Sequence, residues 1–426
     1  MTATDSYGSV VAPLDIYDDG FLGCPHPRLA EARRACPVLP LTREGWWIVT
    51  RDEDVRRVLR DTETFSSAVH RHSPPPPEVA DAVAAVRAKG WPYTNALGTN
   101  DAPVHTRYRR LVNKVFTARS LTWMEPLLEA TVEELAAALP HDVEIDFMSF
   151  AGALPIWAIS RILGLPDEMR DDVRRWTAAS TASIGARPSA ADWVRHEEDL
   201  LDYQLTIAAE LDKGGSGGEG LIYRLAQAAA DEQDLAEDQQ PLGTGVLLTL
   251  IREMVVAGNE TTGKAIAEGV RMFGADPQVW ERIRAEPEYA DRLAEESLRL
   301  DSPSQSAMRR VTRDVTLGET LLPAGSHVVV SLVSANRDEA LYAEPDEFDG
   351  ERANARRHLA FGLGPHACVG AALARMEMTL CFRALARHVR AIRPAATEVP
   401  YTRSFMLRGP LEFRVRVDRR DGRGHA

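Results

Sequence analysis

Four cysteines in 426 residues are too few, and too scattered, to staple a chain of this length. Cys24, Cys36, Cys368 and Cys381 contain no C-x-x-C pair, so no disulfide framework is expected. Long apolar runs are missing as well. The best of them, GVLLTLIREMVVAG, is interrupted by Arg252 and Glu253 and is too short and too polar to span a bilayer. Residues 1–20 have neither a basic n-region nor an apolar h-region, which argues against secretion. Nor is there a surplus of cations. Against 50 Lys and Arg stand 63 Asp and Glu, for a net charge of −13, the wrong balance for a general nucleic-acid binder. These absences lead us to expect a cytoplasmic monomer with no nucleic-acid or membrane partner.

What is present suits an ordinary globular core: 44% of residues are hydrophobic and 27% charged. Apolar residues recur at helical spacing in LAEARRAC, DEDVRRVLRD, Thr106–Phe116, MEPLLEATVEELAAAL, Glu168–Ser180, Leu242–Phe273, QVWERIRAEPEYADRLAEESLRL and AALARMEMTLCFRALARHV. Strand-like runs are fewer and shorter: VLPLT and WWIVT, turning at Arg43–Gly45, then VTLGETLLPAGSHVVVSL, then LEFRVRV. Because these runs lie at both ends of the chain, the expected fold is mainly α with a small β region, in a single interwoven domain. Residues 1–24 are expected as an extended arm and 418–426 as a disordered tail. His72–Val79 (HSPPPPEV) should be an extended polyproline-type loop and Lys213–Gly220 (KGGSGGEG) a flexible connector. Either could be a plain linker or a gate over a buried site.

The stretch FGLGPHACVG, Phe361–Gly370, carries the chemistry. A helical pattern follows it at once, so Cys368 sits at a helix N-terminus, where unpaired N–H groups favour thiolate over thiol. Such a thiolate can be a nucleophile, a redox centre or a metal ligand. His366 is a candidate base for the first of these. Gly362, Gly364 and Gly370 let something bulky and flat approach the main chain. The residues alone leave cysteine hydrolase and metal ligand both open. The other cysteines read as small buried hydrophobes.

The pattern F-G-x-G-x-H-x-C-x-G, filled by Phe361, Gly362, Gly364, His366, Cys368 and Gly370 and continued by AALARME, resembles the haem-binding signature of the cytochrome P450 family. The resemblance implies the cytochrome P450 fold, with haem b held by the Cys368 thiolate, whose electron donation favours O–O cleavage. Backbone N–H groups after the cysteine would tune its sulfur. Other segments match in the same order. In AGNETT, Ala257 and Gly258 leave room for dioxygen, Thr261 hydrogen-bonds the oxygen being activated, and Glu260 relays protons. Asn259 is assigned no role. Glu296 and Arg299 match E-x-x-R, a structural pair behind the haem. Where many relatives have Pro-x-Arg-Phe, this chain has Pro345-Asp346-Glu347-Phe348, so Arg352 is the candidate third member. His105 and Arg109, on one helix face, Arg309 rather than Arg310, and His366 are implied to meet the haem propionates. The resemblance runs from about Pro25 to Val417 and is weakest between Gly164 and Gln240.

A soluble bacterial-type monooxygenase is thereby implied. It would insert one oxygen atom from O2 into a hydrophobic small molecule, by hydroxylation or epoxidation, in natural-product metabolism. No flavin or iron–sulfur segment is visible, so electrons are expected from a ferredoxin and its reductase, docking near Arg107, Arg110 and Arg375. Tyr93, Ala96, Leu97, Val255, Gln305, Ala307, Phe405 and Met406 are expected to line a mostly apolar pocket with Ala257. The alternatives are a non-catalytic haem-binding module and an oxidative-coupling enzyme. An intact Glu260–Thr261 pair argues against both.

Overall fold

The computed structural model describes residues 12–115, 122–213, 220–230 and 242–420. Its longest element is the central helix Thr244–Phe273. Every residue from Thr262 to Val270 is buried, so this half of the helix is covered all round, the pattern of a helix that belongs inside a protein. It packs against helices Met148–Ala151, Ala153–Leu163, Arg170–Thr181, Tyr289–Leu300 and Ala371–His388. Gly263 permits the close approach to one of these: a Cβ there would lie 3.2 Å from Gly152 Cα.

Local chemistry sets the helix ends. Asp276 caps Pro277–Ala285 by accepting from the Gln278 N–H at 2.8 Å. Pro287 then separates that helix from Tyr289–Leu300, so the pattern beginning at Gln278 is two helices. Gly164 ends Ala153–Leu163 in the left-handed region, φ 79°, with its N–H turned back to the last carbonyls. The helix Ala190–Asp212 occupies the part of the chain where the resemblance is weakest.

The strands are β1 (Val38–Pro40), β2 (Trp46–Val49), β3 (Phe65–Ser66), β4 (Glu144–Asp146), β5 (Ser306–Val311), β6 (Val315–Leu317), β7 (Thr320–Leu322), β8 (His327–Ser331), β9 (Val389–Pro394) and β10 (Arg414–Arg419). β1 and β2 form the expected hairpin, Val38 opposite Val49. The main sheet has the order β1-β2-β8-β5-β3, with β2 parallel to β8. A second sheet joins β4, β10 and β9. Both are stitched from distant parts of the chain, which makes this one interwoven unit.

Two boundary expectations need correction. The arm is not extended throughout: Asp19–Gly23 is a helix capped by Asp18, and Leu14, Ile16 and Phe21 are buried. Apolar side chains placed every few residues drew it onto the sheet. The tail does not begin at 418, because Asp418 and Arg419 pair with β9; residues 421–426 lie outside the described residues. In the proline stretch, His72 bridges to Ile184 and Pro77–Val79 is one 3-10 turn. Residues 214–219 of the glycine-rich connector lie outside the described residues. No helix among the described residues is long and apolar enough to cross a membrane.

Candidate active site

Cys368 sits two residues before Gly370, which caps the helix Ala371–His388. Its loop needs glycine at two points, Gly362 (φ 66°) and Gly364 (φ 76°). A Cβ at Gly364 would also meet the Leu59 carbonyl at 2.8 Å. The loop closes through Cys368 N–H to Phe361 O, 2.8 Å. From the helix Val104–Val115, Arg109 donates to the Ala367 carbonyl at 2.6 Å. Phe361 lies under the Arg375 guanidinium, 4.4 Å from the ring centre. Cys368 is exposed to solvent as a residue, although protein surrounds its sulfur. Burial pushes the Cys368 thiol up, while the N–H groups of Gly370 and Ala371, Arg109 and Arg375 pull it down. The helix start therefore does not produce a thiolate unaided. It offers donors and cations to a sulfur that a bound metal ion would deprotonate.

His366 does not serve as base for that thiol. Its ring lies on His105, centroids 4.0 Å apart at 36°. Its basicity is lowered to about 3 by burial and by the neighbouring His105, Arg309 and Arg71. A group so acidic is a poor proton acceptor near neutrality, and the hydrolase alternative loses its catalytic pair.

His105, Arg309 and His366 form one nitrogen-rich cluster, with Arg309 as its cation. Along β5 the side chains alternate, so Arg309 is buried and Arg310 exposed. Burial, then repulsion from Arg71, lowers Arg309 to about 10. Burial and Arg109 likewise lower His105. His105 Nε2, Arg309 Nε and Arg71 Nε are buried without hydrogen-bond partners. Donors left open in this way fit a ligand carrying carboxylates.

On the central helix, Glu253, Ala257 and Thr261 recur every fourth residue and share one face. Ala257 is exposed in mid-helix, between buried Val255 and Asn259, as an open groove requires. Thr261 Oγ1 donates to the Ala257 carbonyl at 2.8 Å. Glu260 Oε1 accepts from Lys264, whose ammonium also donates to Thr402 Oγ1 at 2.7 Å. Glu260 Oε2 is buried without a partner. Asn259, given no role from sequence, ties the helix to Thr177 at 3.2 Å.

Behind the cysteine loop the charges are closed. Arg299 Nε donates to Glu296 Oε2 at 2.7 Å and its Nη2 to Oε1 at 2.8 Å. Arg352 Nε and the Asp349 N–H complete Oε1, each at 3.0 Å. The neighbouring Glu295 accepts from His358 at 2.9 Å and from Arg375 at 2.6 Å. Burial alone would push Glu295 up, but those hydrogen bonds hold it at about 2. Arg375, a candidate docking cation, is thus engaged inside the protein. Arg107 and Arg110 lie on the Val104–Val115 helix, half-buried and exposed respectively.

The expected pocket residues do not form one lining. Val255 points into the core, opposite the Ala257 face, because two residues turn a helix by about 200°. Ala96 is fully buried in the same core, with Leu97 packed against it. Tyr93 turns to Glu197 (3.2 Å) under the Arg252 guanidinium. Ala307 packs with a different cluster, beside Val330. Phe405 and Met406 join Ile16 and Phe21. Gln305 donates to Asp301 and Ser302, and with Phe405 it lines a cleft that contains none of Cys368, Ala257, Glu260 or Thr261. What sequence reading missed near the groove is polar. Glu253 sits one turn before Ala257 and accepts from the Gly98 N–H at 3.3 Å; burial pushes its carboxyl up, and Arg71 opposes this. Arg71 donates to the Gly98 carbonyl. The spacing of Glu253, Ala257 and Thr261 was the available signal.

A family model described as Cytochrome P450 matches residues 216–410. The chain is 32% identical over 416 residues to Cytochrome P450 107B1 of Saccharopolyspora erythraea, covering 95% of this chain and 98% of that protein. It is 31% identical over 384 residues to a Steroid C26-monooxygenase of Mycolicibacterium smegmatis (87% and 85% covered). It is also 31% identical over 396 residues to the Cyclomarin C epoxidase CymV of Salinispora arenicola (92% and 95% covered). Among solved structures, cytochrome P450 CREJ in complex with (4-ethylphenyl) dihydrogen phosphate superposes with a TM-score of 0.85 at 26% identity, covering 96% of this chain and 99% of that one.

Proposed function

Because the chain belongs to the cytochrome P450 family, as a cytochrome P450 monooxygenase, we propose that it inserts one oxygen atom from O2 into a hydrophobic small molecule carrying at least one polar group. The observation that carries this reading is the convergence of an exposed, donor-lined Cys368 with buried His105 and Arg309 nitrogens that lack partners. That donor set fits haem: a thiolate for the iron and cations for two propionates. When bound, haem supplies the redox and oxygen chemistry.

The chain's own residues do the rest. Cys368 would hold the haem iron through its sulfur, with the Gly370 and Ala371 N–H groups steadying the charge there. Arg309, His105 and His366 would hold its propionates; Arg109 holds the ligand loop through Ala367 and adds its charge. Ala257 and Gly258 keep the groove shallow enough for a small molecule. Glu260 passes protons toward Thr261, whose hydroxyl orients them. Glu253 and Arg71 give the distal wall its polar patch, and a substrate hydroxyl or carbonyl matches it.

Relatives named for a steroid, for vitamin D3 and for cyclomarin C support a bulky, largely apolar substrate and a place in natural-product metabolism. Electrons would come from a ferredoxin and its reductase in the cytoplasm, with Arg107 and Arg110 as the docking cations. Turnover at limiting ferredoxin should then fall as salt is added; a salt-independent rate removes the electrostatic docking. The class itself is tested by one spectrum. The reduced, carbon-monoxide-bound protein should show the thiolate-ligated band, and Cys368→Ser should abolish it. An unchanged spectrum in that variant would reject the proposal.

A further inference from the structure

We propose that Lys264 is a positioning residue for proton delivery by Glu260, held in place by Thr402 and the close passage of Gly409. The inference rests on the monooxygenase reading above. Lys264 follows Glu260 by four residues, so the two side chains stack on one helix face in the favourable acid-before-base order. Its side chain is 5% exposed. The ammonium donates to Glu260 Oε1 and, at 2.7 Å, to Thr402 Oγ1. The stem cannot swing away. A Cβ at Gly409 would lie 2.6 Å from both Lys264 Cβ and Cγ, so only glycine lets the C-terminal loop pass so near. Thr402 is fixed in turn by its own N–H to the Gly409 carbonyl, 3.0 Å.

One turn of helix and one distant loop therefore clamp a single carboxylate oxygen. The other oxygen, Glu260 Oε2, is left buried with no partner. A buried acceptor without a donor costs free energy, and here it adjoins Thr261 in sequence, on the turn where a proton is needed. Lys264 holds one oxygen of Glu260 and leaves the other free beside that turn. The other titratable groups nearby belong to separate sets: Glu268 pairs with Arg271 and faces Tyr401 and Asp301, Arg408 pairs with Asp301, and Arg403 with Asp19.

The test uses haem-loaded wild type, Lys264→Met, Lys264→Arg and Thr402→Val. One reading is the fraction of electrons lost as hydrogen peroxide instead of product, followed across the neutral pH range. The other needs no turnover: the frequency of the carboxyl infrared band that Glu260→Gln deletes. In Lys264→Met that band should shift in frequency as Glu260 loses its hydrogen bond from Lys264, and the peroxide fraction should rise several-fold with a changed pH profile. Lys264→Arg should restore both, and Thr402→Val should give intermediate values. If Lys264→Met fails to fold, Thr402→Val carries the same expectation. Wild-type values for both readings in Lys264→Met, at normal haem content, overturn the proposal. A wild type without the thiolate-type carbon-monoxide spectrum rejects the monooxygenase reading instead, and the infrared band still reports whether Lys264 holds the Glu260 carboxyl in place.

Discussion

Buried charge is handled in opposite ways on the two sides of the cysteine loop. Behind it, Glu296 and Arg299, both fully buried, satisfy each other with help from Arg352. Beside it, His105, Arg309 and Arg71 gather within reach of Asp101 and Glu253, yet no acceptor bonds their free nitrogens. Burying a charge is tolerable only when it is paired. A closed set is therefore complete without help and holds the chain together, whereas an open set is completed by something the chain does not encode.

The sharpest way to break that contrast is Arg299→Met. It leaves Glu296 buried with Arg352 as its remaining cation and should cost about 3–5 kcal/mol in chemical unfolding. Removing Glu296 as well should recover part of the loss. A cost below about 1 kcal/mol would show that the knot is not what holds this region.

The open set should respond differently. Arg309 is held below its ordinary value by burial and by Arg71, so folding opposes its charge. Arg309→Met should therefore leave the haem-free protein as stable as wild type, or more so. Haem loss to a scavenger should nonetheless quicken about 10- to 100-fold, the worth of one buried charge-assisted hydrogen bond. Equal destabilisation with and without haem would erase the distinction.

Two buried carboxylates sharpen it further. Glu295, held at about 2 by His358 and Arg375, stabilises the fold above its unfolded value, and that contribution is lost as pH falls toward 2. Glu377 is fully buried with neither oxygen bonded, and burial pushes it well above 4.5. Its contribution is intact below 4.5 and is lost as pH rises. Melting temperatures of wild type and Glu377→Gln should thus diverge in the variant's favour as pH climbs, by about 1–2 kcal/mol near neutrality. A gap that closes instead would mean Glu377 has a partner in solution. The smallest effect is expected for Arg352→Lys, about 1 kcal/mol in thermal unfolding, because lysine keeps the charge but not the fork that reaches Glu296 and the nearby carbonyls together.

Much of the site could be read from order and spacing. The cysteine loop is contiguous, and its glycines answer to backbone angles that no other residue adopts cheaply. The spacing of His105 and Arg109 put both on one helix, yet Arg109 turned to the Ala367 carbonyl, which spacing could not show. Arg309 was preferred over Arg310 by the spacing back from Asp314 that the resemblance implies, and β5 buries Arg309 and exposes Arg310. The pocket was the weakest reading. Tyr93, Val255 and Phe405 are apolar or aromatic residues near the right segments, but each faces a different cluster. Glu253 and Arg71 were overlooked because a charge beside an apolar run resembles a solvated surface until the neighbouring loop is folded over it.

The sequence by itself determined the family resemblance and the mainly helical build and singled out Cys368, Glu260 and Thr261 as candidates, because each rests on residues close together in the chain and on local backbone rules. Tertiary structure alone decided that Arg352 reaches Glu296, that Lys264 meets Thr402, and that His105 Nε2 and Arg309 Nε remain unbonded. These depend on contacts between residues scores to hundreds of positions apart, where packing and desolvation, not spacing, choose which charge meets which.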